Sequence, residues 1–144
     1  MLHPGSNLGP FTIESPLGRG GMGVVYRARD ARGGAVALKV LNPLFATDQR
    51  LLERFRREAH AAKLVRHPNV VSCLESGEAA SGPWIAFELV PGGSLKDRLV
   101  AKGKLSWRRA ARLGAEVARG LAAIHQAGLV HRDVKPANIL LDAE

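Results

Sequence analysis

The stretch His131-Arg132-Asp133-Val134-Lys135-Pro136-Ala137-Asn138, HRDVKPAN in one-letter code, is followed only by Ile139-Leu140-Leu141-Asp142-Ala143-Glu144. It gathers a carboxylate, an ammonium and a carboxamide in one short polar segment ahead of an apolar run. Asp133 is placed to accept or orient a hydroxyl proton, Lys135 is a mobile cation, and Asn138 is a neutral oxygen donor suited to Mg²⁺. The spacing H-R-D-x-x-x-x-N is far more specific than a chance hydrophilic turn before a strand. What it means depends on what lies upstream.

A chain of 144 residues with 46% hydrophobic and 24% charged residues is long enough for a real core and average in usage. No apolar run approaches the ~20 residues needed to span a bilayer, and the opening MLHPGSNLGP has neither the basic nor the apolar region of a signal peptide. These features lead us to expect a cytoplasmic protein with no membrane segment. The single Cys73 lies in an apolar run and reads as a small core residue. The net charge of +8 is dispersed, with Arg54, Arg56 and Arg57 in one expected helix and Arg108, Arg109, Arg112 and Arg119 in another. Each set is interleaved with apolar positions, as on a solvated face. No aromatic interleaving suggests base stacking, and no nucleic-acid partner is expected.

Upstream, Phe11 to Leu41 reads as strands rich in β-branched residues and separated by glycine turns, with a hairpin signal at Asp30-Ala31-Arg32-Gly33-Gly34. Residues 48 to 65 switch to helical spacing, with Leu51, Phe55, Ala59 and Ala62 on one face and Asp48 near the start. Strand-like segments return at 70–74 and 84–89, ending at a Pro91-Gly92-Gly93 connector. Ser94 to Asp97 resembles a capping box. A longer helix follows Ser106, with Ala110, Gly114, Val117, Leu121 and Ile124 as its expected core face and Gly128 as its stop. The fold class is α+β: a five-stranded antiparallel lobe with one helix, then a mainly helical lobe. The divisions expected are a tail over 1–10, a first lobe with its connector over 11–90, and an incomplete second lobe over 91–144.

The glycines of Leu17-Gly18-Arg19-Gly20-Gly21-Met22-Gly23-Val24-Val25-Tyr26 form G-x-G-x-x-G. Missing side chains let backbone N–H groups approach a phosphate. Strand-like Val24-Val25-Tyr26 follows rather than a helix, and no Lys-Ser or Lys-Thr pair is present, which excludes a dinucleotide fold and a Walker A loop. Lys39, in the expected third strand of the same sheet, can reach a phosphate under that turn. Glu58, on the following helix, can hold it, since a buried unpaired charge is costly. A phosphate-cradling turn, a tethered lysine and the Asp133, Lys135, Asn138 set are together the parts phosphoryl transfer requires, a reaction of positioning and charge stabilisation.

From about Gly9 to Glu144 the sequence resembles the eukaryotic-type protein kinases, specifically the serine/threonine kind also found in bacteria. The resemblance implies ATP and Mg²⁺ as cofactors and Ser/Thr hydroxyls of proteins as substrate. Gly18, Gly20 and Gly23 match the glycine-rich loop, Lys39 the lysine on the α- and β-phosphates, and Glu58 its helix partner. Leu17, Val25, Ala37 and Leu140 would sandwich adenine. Phe87 would be the gatekeeper, and the backbones of Glu88 and Val90 would bond the base. Asp133 would be the catalytic base with Lys135 beside it, in the Ser/Thr-type version of the loop. Asn138 would be a metal ligand, and Arg132 implies control by activation-loop phosphorylation. The sequence departs from the family in having no D-F-G motif, activation loop or A-P-E segment. The expectation is therefore a truncated product or incomplete reading. The alternative is a nucleotide-binding pseudokinase, or a fragment that only interacts.

Overall fold

The computed structural model describes residues 2–142. They fall into two compact units. The first comprises the chain up to Leu64 together with Ser72–Leu89; the second comprises Val65–Val71 and the chain from Val90 onward.

The first unit is built on an antiparallel sheet of β1 (Asn7–Leu8), β2 (Phe11–Arg19), β3 (Gly23–Arg29), β4 (Ala35–Leu41), β5 (Cys73–Ala79) and β6 (Gly82–Glu88), in the order β1-β2-β3-β4-β6-β5. The sheet has six strands where five were expected. The extra one is a short edge pairing in which Asn7 and Leu8 meet Thr12 and Phe11. It carries no run of β-branched residues, so no propensity signal announces it; burial of Leu8 holds it in place. The expected third strand, with Lys39, is accordingly β4. The β3–β4 hairpin closes where Asp30 accepts from the Arg32 and Gly34 amides and Gly33 takes a φ of 82°.

Strand alternation gives the sheet two working faces. On β4, Val36, Leu38 and Val40 join Phe11, Ile13, Tyr26, Trp84 and Ala86 in the main core, where Phe11 meets Trp84 edge-on at 5.0 Å. Leu41 faces the other way, with Ile85, against α1 (Gln49–Leu64). That helix starts where Asp48 accepts from the Arg50 and Leu51 amides. Its inward contacts are Leu52, Phe55 and Ala59; Leu52, rather than the expected Leu51, packs on the sheet. Cys73 is half-buried on the same cluster, and desolvation pushes its thiol pKa up. The strand there begins at Cys73, so the preceding residues 70–72 of the expected segment lie outside it.

In the second unit, α2 (Leu95–Lys102) is capped as the sequence suggests: Ser94 accepts from the Asp97 amide and donates its hydroxyl to the Asp97 carboxylate at 2.5 Å. The longer α3 (Trp107–Gln126) is capped by Ser106 and stopped by Gly128, whose φ of 76° allows the Leu129 amide to reach back to Ile124. Of the expected core face, Ala110 and Gly114 are exposed and Val117, Leu121 and Ile124 are partly covered; Gly120 is the buried residue of this helix. The physical reason is close backbone contact, because a Cβ on Gly120 would come within 2.5 Å of the Asn69 carbonyl oxygen. Past the polar loop, Leu141 exchanges hydrogen bonds with Gly92 and Gly93 at 2.9 Å, and Ile139 accepts from Leu95.

Candidate active site

Two groups of sequence-predicted residues are each assembled within one unit. In the first, β2 and β3 pair through Gly18 opposite Val25, and β3 and β4 through Val25 opposite Lys39. Opposed residues share a face and so do residues two apart, which puts Val25, Ala37 and Lys39 together; Phe87, opposite Ala37, joins them. Leu17 stands half-exposed at the bulged end of β2. The Gly20 amide donates to the Gly23 carbonyl at 2.8 Å and closes the turn.

The glycines of that turn are needed for different reasons. A Cβ at Gly18 or Gly21 would meet nothing within 4 Å, and one at Gly20 would meet only the Gly23 oxygen at 3.9 Å. Their backbone is open to an incoming ligand. At Gly23 a Cβ would run into the Val40 carbonyl oxygen, so this glycine is required by the sheet itself.

Lys39 forms an ion pair with Glu58, whose carboxylate comes from α1, and its ammonium lies 5.9 Å from the centre of the Phe55 ring. The side chains retain 23% and 35% exposure, so the pair is sheltered but reachable. Phe55 was not among the expected site residues. Its position three before Glu58 on one helix face is the signal that could have found it.

Glu88 ends β6, where its amide donates to Ser72 at 3.0 Å and its carboxylate accepts from the Ser72 amide at 2.6 Å. Its carbonyl is therefore the backbone group through which Glu88 can meet a ligand. Val90 belongs to the second unit, as does Leu140, which is bridged to Ser94.

The second group is the loop 131–138. Asp133 is at its centre: Lys135 Nζ lies 2.9 Å from its Oδ2, and Asn138 Nδ2 donates to its Oδ2 at 3.0 Å and its carbonyl at 2.8 Å. The Asp133 amide in turn donates to His131 Nδ1 at 3.2 Å. A short 3₁₀ turn over Pro136–Asn138 brings Asn138 back onto the loop. The Lys135 ammonium, and then the Asn138 amide, hold the Asp133 carboxyl below the ordinary aspartate value. Arg132 has a φ of 62°, a left-handed conformation that side chains other than those of glycine, asparagine and aspartate seldom adopt. Sequence spacing carries no sign of that turn.

A family model described as "Protein kinase domain" matches residues 11–144. The chain is 41% identical over 145 residues to a probable serine/threonine-protein kinase, PkwA, of Thermomonospora curvata, covering 99% of this chain and 20% of that protein. It is 38% identical over 132 residues to the serine/threonine-protein kinase PknL of Mycobacterium tuberculosis, covering 91% of this chain and 33% of that one. It thus spans between a fifth and a third of the length of these relatives. Among solved structures, the kinase domain of Mycobacterium tuberculosis PknI superposes with a TM-score of 0.85 at 33% identity, over 100% of this chain and 59% of that one. The chain, from the paired strands that carry Lys39 to the loop that carries Asp133, belongs to the protein kinase domain family.

Proposed function

We propose that the chain carries the nucleotide-holding and hydroxyl-activating residues of an ATP-dependent serine/threonine protein kinase. The observation that carries this reading is the cluster of Asp133, Lys135 and Asn138 in a single loop. Lys135 and Asn138 keep the carboxyl of Asp133 ionised, the form able to orient or accept the proton of an attacking hydroxyl. Lys135 supplies the charge that follows the phosphoryl group as it transfers.

The residues fit the cofactors the family implies. Lys39, held by Glu58 over an apolar ring, is a fixed cation for the α- and β-phosphates. Gly18, Gly20 and Gly21 leave open backbone to cover them. Leu17, Val25, Ala37 and Leu140 are the apolar surfaces proposed for adenine, with the Glu88 and Val90 backbones proposed for its polar edge. With its nitrogen turned toward Asp133, Asn138 offers its amide oxygen to a hard cation. Among the described residues no group of three or more His, Cys, Asp and Glu could hold a metal. Mg²⁺ held by Asn138 would be shared with the triphosphate oxygens, its usual mode of binding.

The test is transfer of labelled γ-phosphate from Mg-ATP to a Ser/Thr peptide, with Asp133→Asn as control, alongside calorimetric ATP binding. Transfer abolished by Asp133→Asn upholds the reading. Binding lost on Lys39→Met but without transfer reduces the chain to a nucleotide-binding module, and absence of both overturns it.

A further inference from the structure

We propose that the corner joining α2 to α3 docks on an anionic phospholipid surface. Residues 98–115 carry Arg98, Lys102, Lys104, Arg108, Arg109 and Arg112 and not one carboxylate. Within this run, Lys104, Arg108 and Arg112 are exposed. Two apolar side chains stand out among them: Val100 is 81% and Trp107 72% exposed.

Two details argue against a merely solvated face. The first turn of α3 holds Arg108 and Arg109 and no acidic residue, although cations at a helix N-terminus oppose the macrodipole. Such a local conflict between sequence and fold is expected where a surface meets something outside the chain. The Arg108 guanidinium also lies 4.7 Å from the centre of the Trp107 ring, so cation and aromatic form one amphipathic tip. Tryptophan beside basic residues suits the headgroup boundary, where the ring enters the acyl edge and the cations meet lipid phosphates. Nucleic acid would satisfy the charges but not Val100, and it would have to displace Arg108 to stack on Trp107. No helix of the described residues is long and apolar enough to cross a membrane, so the contact is peripheral.

The protein contains two tryptophans, and only one is well exposed: Trp84 is 5% accessible. Emission shifts on adding vesicles therefore report Trp107. The 144-residue protein is mixed with phosphatidylcholine vesicles with and without phosphatidylserine, with duplex DNA and with polyglutamate. The expected result is co-sedimentation and a blue shift with phosphatidylserine alone, both lost at high salt. Each cation contributes on the order of fivefold to partitioning, so a Lys104→Gln/Arg108→Gln variant falls more than tenfold. Trp107→Phe loses the shift while remaining salt-sensitive. Binding to pure phosphatidylcholine, tighter binding to DNA or polyglutamate, salt-insensitive binding, or no binding at all overturns the proposal. Circular dichroism of each variant confirms that the charge change leaves the fold intact.

Discussion

Lys39 and Glu58, 19 residues apart, form their ion pair beside the ring of Phe55, which is wholly buried where α1 meets the sheet. The pair is partly exposed, so it contributes at most about 1 kcal/mol to stability. A charge-assisted contact to a phosphate is stronger. Lys39→Met should therefore lower Mg-ATP affinity roughly tenfold to a hundredfold while barely moving the melting temperature. Calorimetry and thermal melts on the same samples check it, and a large loss of stability with unchanged affinity would show the lysine to be structural.

Phe55 is the hinge of that geometry. Phe55→Ala should cost about 3–5 kcal/mol in urea unfolding, as removal of a fully buried aromatic ring does. It should also weaken ATP binding without touching a nucleotide, because α1 would no longer hold Glu58 at a fixed distance from β4. Phe55→Leu, which keeps apolar volume, should recover most of both.

The two glycines of α3 make opposite predictions. Gly114 has open space where a Cβ would be, so Gly114→Ala should stabilise by about 0.5–1 kcal/mol through helix propensity. Gly120 faces the Asn69 backbone, and Gly120→Ala should destabilise by about 1–3 kcal/mol through overpacking. Chemical denaturation of the two variants side by side would reveal equal effects if that contact were absent.

Asp133 should titrate below the ordinary aspartate value, since Lys135 first and Asn138 second favour its charged form. The sign follows from linkage: the contribution is present above the unfolded-state pKa and is lost as pH falls through the lowered folded-state value. NMR of the Asp133 carboxyl carbon measures this directly. In Lys135→Met the midpoint should rise toward the ordinary value, and an unchanged midpoint would show that Lys135 is not the cause.

Much of this was legible before any coordinates, for reasons that differ by element. The caps at Asp48, Ser94 and Ser106 and the stop at Gly128 are local chemistry, written in adjacent residues. The loop around Asp133 was legible because its polar groups lie close in sequence and close in space. Strand β1 was not, because Asn7–Leu8 is held by the burial of Leu8 rather than by propensity. The division of α3 into covered and exposed positions was also hidden. Periodicity marks the apolar stripe, but not that Gly120 would be pressed against the turn containing Asn69. The left-handed Arg132 and the grip of Glu88 on Ser72 depend on backbone conformation and tertiary contact, to which spacing is blind.

The course of the chain between the units bears on how the protein is made. Val65–Val71 belongs to the second unit but leaves and returns through the first, between Leu64 and Ser72. During synthesis the sheet can close once β6 has emerged, well before α3 exists. Both ends of the segment that carries the Asn69 turn are then tethered, which shortens the loop left to close. Gly120 then packs on the Asn69 backbone, a contact within the second unit that joins segments made at different times. A cut at the connector after Leu89 would strand that turn with the wrong half.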